Sequence, residues 1–205
     1  MKILALLFPL LMYHSCFSSE YIEEEPEIIN NRNNCDSTNI ATSLVDEFYN
    51  WYIHQIYKTG NSSDYQNASF KKLAPDKYGL DIETYENKLN EIKYFSESYK
   101  RVLISKNLKC SNAMVNSKQN FNPFEEMFHL GEDNHLCNIL WYDNWLGGQG
   151  ENINGYKISD VYKVDSTSYS IHVHILLDDE VFSTADVTVE FQSENAKISN
   201  IDLSF

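Results

Sequence analysis

The apolar residues of this chain change their spacing between its N-terminal and C-terminal parts, and this change restricts the possible folds. In the N-terminal part they recur at every fourth residue, the spacing that places side chains on one face of an α-helix. These residues are Ile40, Leu44, Phe48, Tyr52 and Ile56. In the C-terminal part they alternate with polar residues, as in a β-strand that buries one face. Helices followed by strands predict an α+β domain.

Two long amphipathic helices are predicted. Ser37 or Thr38 can cap the first helix, and we expect it to end before residues 59–63, where glycine and short polar residues favour a turn. Periodic apolar residues predict the second helix over residues 82–104. The polar residues 105–120 are then expected to form a loop.

Alternating segments predict a β-sheet after the helices. The predicted strands are residues 155–164, 169–177, 187–191 and 201–205. Turn-forming residues occupy 178–180 and 193–195. Short connections favour antiparallel neighbours, so the simplest topology is an antiparallel meander whose open face packs against the helices.

The N-terminal residues have the pattern of an export signal. Lys2 precedes an apolar run over residues 3–12, which is too short to span a bilayer, and small residues follow it. Cleavage before Cys16 would leave a thiol that carries a lipid anchor. Cleavage after Ser18 would instead release a freely soluble protein. We favour the anchored form, which places the protein in the bacterial periplasm or at the outer membrane.

Three regions are therefore predicted along the chain. Residues 1–18 form the signal, and residues 19–36 form an acidic tether, because glutamates around Pro26 repel one another and there is little to bury. Residues 37–205 form a single α+β domain. Within the tether and domain, no internal repeat is evident.

The charge of the chain limits its partners. Acidic residues outnumber basic residues by 30 to 16, which gives a formal net charge of −14. Such a surface repels phosphate backbones and anionic headgroups, so composition argues against nucleic acid and restricts membrane contact to the lipid anchor. A basic protein or a cation is the favoured partner. The oligomeric state is left open.

Three cysteines remain once Cys16 is lipidated or removed, and any two of them could pair in an oxidising envelope. We predict a Cys110–Cys137 disulfide, because it would join the polar loop to the following aromatic segment, whereas Cys35 lies in the tether. Paired C-x-x-C spacing, which is typical of zinc sites, is absent from the sequence.

Two groups of potential metal ligands occur in the sequence. His172 and His174 lie two residues apart on a predicted strand, so they project from one face, which we expect to be the solvent side. Residues 129–135 contain two histidines and two acidic residues but lack the acidic spacing of an EF-hand. We therefore predict no metal site and no cofactor.

Tyrosines and tryptophans with polar edges are concentrated in two segments. We call them the aromatic set: Tyr49, Trp51, Tyr52, Trp141, Tyr142 and Trp145. Such residues form a core, a ligand pocket or a protein interface. Asp143, Asp160 or Tyr162 could act as an acid or base at the mouth of a pocket. Neither a nucleophile elbow nor a complete phosphate loop accompanies them, so no catalytic residue is predicted.

Four features of the sequence occur together: the largely aromatic residues 48–52 on the first predicted helix, the second long helix, residues 122–124 followed by residues 141–145, and the closing meander. Together they resemble an uncharacterised bacterial envelope family, domain of unknown function 3828. The resemblance spans residues 37–205, and the chain departs from the expected pattern at residues 125–129. It implies a small exported protein or lipoprotein with a cone similar to that of nuclear transport factor 2, in which a curved sheet wraps around helices. It implies no catalytic residues.

Three functional hypotheses follow from the sequence. The first is a non-catalytic exported protein that binds a protein partner through acidic residues such as those at 178–180. The second is a periplasmic immunity protein that neutralises a basic toxin. The third is a small-ligand-binding or enzymatic cone, which requires a deep pocket with a buried titratable group. We favour the first, because the sequence has an anchor signal and lacks a catalytic motif.

Overall fold

The chain folds as predicted into helices followed by a four-stranded antiparallel sheet. The structure is a computed structural model, and it describes residues 28–75, 77–117, 131–140, 142–148, 151–192 and 195–204. The side chains of residues 28–36 and 131–134 are outside this description. The predicted signal, Cys16, the side chain of Cys35 and Trp141 therefore lie outside the described residues.

The first helix begins earlier than the sequence predicts. Helix α1 spans Ile28–Trp51 and continues directly into a π-helix at Tyr52–Tyr57. A start at Ser37 or Thr38 was therefore wrong, and residues 28–36, which were expected to be extended, have a helical backbone. Asparagine lowers helix stability by only about 0.7 kcal/mol relative to alanine, and extending an existing helix is easier than nucleating one.

The second predicted helix is divided into two. Helix α3 spans Ile82–Glu91 and helix α4 spans Glu97–Asn116. The single helix over residues 82–104 was wrong, and so was the loop over residues 105–120, most of which belongs to α4. The break has a tertiary cause, which lies in the C-terminal sheet.

That sheet is the predicted meander. Its strands are β3 (Ile153–Lys163), β4 (Ser168–Leu177), β5 (Glu180–Gln192) and β6 (Asn195–Ser204). Each strand pairs antiparallel with the next. Asp178 and Asp179 connect β4 to β5 with φ angles of 51° and 68°, the left-handed conformation of a tight hairpin turn. The sheet is not strongly curled.

Strand β6 explains the break between α3 and α4. The N–H of Ile198 donates to the carbonyl of Tyr94, and the N–H of Ser96 donates to the carbonyl of Ile198, both at 2.9 Å. Residues 94–96 therefore bond to the sheet rather than continue the helix. The Ser96 hydroxyl then accepts from the N–H of Tyr99 at 3.2 Å and caps the start of α4.

A short helix and a hairpin between the π-helix and α3 were not predicted. Helix α2 spans Ser63–Gln66, and strands β1 (Phe70–Ala74) and β2 (Lys77–Leu80) pair antiparallel. The hairpin packs on α4 through β2, where the N–H of Leu80 donates to Ser111 Oγ at 2.9 Å. The sequence signal for it is Pro75, a turn-forming residue between the two strands.

The core lies between the inner face of the sheet and the helices. The sheet contributes fully buried residues from three of its strands, β4, β5 and β6: Ile171, Val173, Ile175, Ala185, Val187, Val189 and Ile198. The helical part contributes buried aromatic and aliphatic residues, among them Val45, Phe48, Leu89, Phe95 and Leu103. This alternation leaves the second face of β4 and β5 on the outside of the domain.

A disulfide attaches the segment before the sheet to the helices. Cys110 of α4 and Cys137 of the 3₁₀ helix Gly131–Leu140 have their sulfur atoms 2.07 Å apart and their Cα atoms 4.7 Å apart. The predicted pairing is confirmed. None of the helices in the described part of the chain is long and apolar enough to cross a membrane.

Candidate functional site

Three of the five described members of the aromatic set lie inside the domain. The side chains of Tyr49, Tyr52 and Trp145 are completely buried, whereas Trp51 is half-buried and Tyr142 is 49% exposed. The ring of Trp145 packs edge-on against Tyr52 with centroids 4.6 Å apart, and it makes similar contacts with two phenylalanines. The interior that would have to hold a ligand is thus occupied by the protein's own rings.

Asp143 connects the segment around Trp145 to the helical region. Its Oδ2 atom accepts from the hydroxyl of Tyr52 at 2.8 Å and from the side-chain amide of Gln66. Its Oδ1 atom accepts from the backbone N–H groups of Trp145 and Leu146 at 2.8 and 2.9 Å. We call Asp143 and these four donors the Asp143 hub. It joins the π-helix, α2 and the segment before the sheet.

The local sequence explains why the segment folds back on Asp143. The N–H of Asp143 donates to the carbonyl of Gly148 at 2.8 Å, and the N–H of Gly147 donates to the carbonyl of Asp143 at 3.0 Å. Gly147 has a φ of 83°, a conformation that favours glycine. Gly147 and Gly148 therefore form a tight turn, while the following Gln149 and Gly150 lie outside the described residues.

Burial determines the ionisation of the hub. It raises the pKa of Asp143 to about 6, although hydrogen bonds from Trp145, Tyr52 and Leu146 favour the charged form. Burial, together with the nearby carboxylate, also raises the pKa of Tyr52 well above its usual range. The phenol therefore remains a hydrogen-bond donor near neutral pH, and Asp143 is the member of the hub that changes charge.

The hub has the features of a structural element. Both oxygens of Asp143 are already bonded to donors from the protein, and the residue is only 4% exposed. A general acid or base must reach a proton on its substrate within hydrogen-bond distance. Asn144 adds to the attachment, because its side-chain amide donates to the carbonyl of Gln66 at 2.6 Å.

The other suggested acid or base residues lie elsewhere. Asp160 and Tyr162 are exposed on β3, and their partners across the strand pair are His172 and Ser170. Because side chains at paired positions lie on the same face of a sheet, all four lie on its outer face. The structure does not bring Asp160 or Tyr162 together with Asp143.

The two histidines of β4 also project from the outer face, as predicted, but they are half-buried. Their ring centroids are 5.2 Å apart, and His172 Nδ1 lies 2.8 Å from Asp186 Oδ1. Across the described ranges, no group of three or more His, Cys, Asp or Glu side chains could hold a metal ion. His135 is exposed in the 3₁₀ helix, while the side chains of His129, Glu132 and Asp133 lie outside the described residues.

A surface cleft of about 470 Å³ was not predicted from the sequence. It lies between the end of α1 and the end of α3 and is lined by Glu47, Asn50, Trp51, Gln55, Tyr65, Glu91, Ile92, Lys93 and Tyr94. Trp51 is the member of the aromatic set that lines it. Glu47 and Trp51 are four residues apart on one helix, a spacing visible in the sequence, but the opposite wall comes from α2 and α3.

The chain has no match among family models, curated proteins or solved structures. The resemblance to the bacterial envelope family therefore stays a prediction.

Proposed function

We propose that this chain is a non-catalytic exported protein, anchored by a lipid on Cys16, whose α+β domain binds a basic protein partner. The observation that best supports a non-catalytic role is the Asp143 hub. The buried titratable group that an enzymatic cone would need is bonded to four donors from the protein itself. The packed interior gives no support to a ligand-binding or enzymatic cone.

The outer surface of the sheet supports a basic partner. In one row across its strands lie Asp160, His172, Asp186 and Asp202, each paired with the next. The three carboxylates are exposed, and the acidic turn at residues 178–180 is exposed beside the same sheet. Such a surface speeds association with a positively charged protein.

The acidic surface also favours the more specific proposal of an immunity protein that neutralises a basic toxin. A basic toxin would bind the same acidic surface as other basic proteins and would compete with them for it. It differs from them because binding would block its active site. Inhibition of a purified toxin by the chain at equimolar concentration would separate this proposal from docking on an envelope protein.

The cone of the resembled family belongs to this proposal as well. Register shifts interrupt the pairing of β3 with β4, of β4 with β5 and of β5 with β6. A β-bulge at such a shift bends its strand locally, which is compatible with a gently curved sheet but not with a strongly curled one. The proposed curvature remains independent of the choice of partner.

The test is capture of partners from intact envelopes with a tagged chain, followed by identification and a salt series. The captured protein should be basic, and it should be released as salt shortens the Debye length to about 10 Å near 0.1 M. Asp178→Asn with Asp179→Asn should weaken capture, because asparagine also adopts the left-handed conformation and only the charge is lost. Glu83→Gln with Glu86→Gln, an equal loss of charge on α3, is the control. Capture that withstands high salt in all variants would contradict the proposal.

A further inference from the structure

Three aromatic rings line the cleft beside Trp51, and a lysine ammonium already lies over two of them. Lys88 Nζ lies 5.4 Å from the ring centroid of Tyr65, and Lys93 Nζ lies 5.0 Å from that of Tyr94. Trp51 contacts both rings, at centroid distances of 5.7 and 5.6 Å. Within the described part of the chain, no lysine or arginine lies over Trp51, although tryptophan is the strongest of the aromatic side chains in cation–π contacts.

Two carboxylates line the cleft, and only one of them is paired with a lysine. Glu91 is 3.3 Å from the ammonium of Lys88 and also accepts from the hydroxyl of Tyr65 at 3.1 Å. Glu47 is exposed and has no ion pair among the described residues. Residues four apart on a helix are neighbours on its surface, so Glu47 lies beside Trp51. A cation over the indole would meet an unpaired carboxylate.

The backbone changes from an α-helix to a π-helix directly after Trp51. The π-helix Tyr52–Tyr57 begins directly after Trp51 and supplies Gln55 to the cleft. Turns of π-helix are rare in proteins as a whole, but those that exist are frequently found at functional sites. The winding is a second observation, independent of the rings and charges, that points to the cleft.

We propose that this cleft receives an arginine side chain of the protein partner, with the guanidinium stacked on Trp51 and paired with Glu47. Arginine fits better than lysine, because its planar guanidinium stacks on an aromatic face while its N–H groups point outward to a carboxylate. The side-chain carbonyl oxygens of Asn50 and Gln55, which also line the cleft, are additional acceptors for those N–H groups. The inference rests on the proposed function, since a basic partner supplies the arginine.

The experiment is an NMR titration of the purified chain with N-acetyl-arginine amide, observed at the tryptophan indole N–H signals. Trp51→Phe identifies the signal of Trp51 by its loss. That signal should move on titration with the arginine derivative. N-acetyl-citrulline amide, which has nearly the same shape without the charge, should bind at least about threefold more weakly. Glu47→Gln should weaken arginine binding about threefold. Glu86→Gln, which removes a charge outside the cleft, should leave it unchanged.

Three outcomes would overturn the inference: equal binding of the citrulline derivative, an unchanged affinity in Glu47→Gln, or shifts confined to the indoles of the other tryptophans. Glu47 is exposed, so its variant tests the site without disturbing the core. The probe is independent of the natural partner. Arginine binding without a captured basic protein would refute the proposed function alone, whereas a captured basic protein without arginine binding at Trp51 would refute this site alone.

Discussion

Replacement of Asp143 by asparagine should remove a defined part of the pH dependence of stability. The buried carboxyl has a pKa of about 6, against an ordinary value of 3.8. Between these values the folded chain holds a proton that the unfolded chain has released, so the free energy of unfolding must fall as pH rises through this range. The contribution is complete below pH 4 and is lost above pH 6.

The size of the effect follows from the two pKa values. They differ by about two, and each unit corresponds to about 1.4 kcal/mol, so Asp143 should account for about 3 kcal/mol between pH 4 and pH 7. Asparagine has nearly the same shape and does not titrate. Its oxygen can still accept from the backbone N–H groups of Trp145 and Leu146. The amide of Gln66 can turn to present its oxygen, and the hydroxyl of Tyr52 can rotate to accept.

The assay is urea denaturation at several pH values, with unfolding monitored by circular dichroism. Urea is uncharged, and the wild-type chain should lose about 3 kcal/mol more than Asp143→Asn between pH 4 and pH 7. Asp160→Asn, an exposed carboxylate on the outer face of the sheet, controls for the general repulsion in an acidic protein. Parallel pH profiles for the wild-type chain and Asp143→Asn would refute the reasoning.

The remaining expectations concern the disulfide, the histidines and the anchor. Replacing Cys110 and Cys137 by alanine should lower the free energy of unfolding by about 3 to 4 kcal/mol, because the bond closes a loop with a sequence separation of 27; a loss below about 1 kcal/mol in urea denaturation would contradict this. Replacing His172 and His174 by alanine should change that free energy by less than about 1 kcal/mol, since substitutions at partly exposed positions usually have small effects. A larger loss in urea denaturation would contradict that expectation, and stoichiometric zinc in the purified protein, measured by mass spectrometry, would contradict the prediction that there is no metal site. Cys16→Ala should move the protein from the membrane fraction to the soluble fraction, and an unchanged fractionation would reject the lipid anchor.

The strands could be predicted because their signal is local. Alternation alone places Ile171, Val173 and Ile175 on one face of β4, and the acidic turn that follows separates β4 from β5. The disulfide pairing was predicted correctly, although Cys110 lies on α4 rather than in a loop and residue 35 belongs to α1 rather than to an extended tether. In both cases the residues that determine the structure are close to one another in sequence or few in number.

The break between α3 and α4 could not be predicted, because its cause is distant. Residues 92–96 fit the helical period, yet backbone groups of Tyr94 and Ser96 bond to Ile198, which is far along the chain. The cleft beside Trp51 was missed for a similar reason, since its walls come from α1, α2 and α3. A periodic pattern shows which face a helix buries, but it does not show which elements meet there.

Asp143 was identified from the sequence as a candidate acid or base, and its use in the hub was not foreseen. Its backbone partners, Trp145 and Leu146, are two and three residues away and follow the pattern of an acidic residue at a turn. Its other partners, Tyr52 and Gln66, precede it by 91 and 77 residues. Composition identifies a residue that can do chemistry, whereas only the fold shows that its oxygens are already bonded.

The same distances affect the order in which the chain folds. Each strand of the meander pairs with its neighbour in sequence, so the sheet closes only short loops. The hub closes loops of 77 and 91 residues, for which the entropy cost is larger. We therefore expect the sheet to assemble first and the helices to be joined to it through Asp143 late in folding. Changes at Asp143 then act mainly on the rate of unfolding, which makes this carboxyl a determinant of how long the folded chain persists.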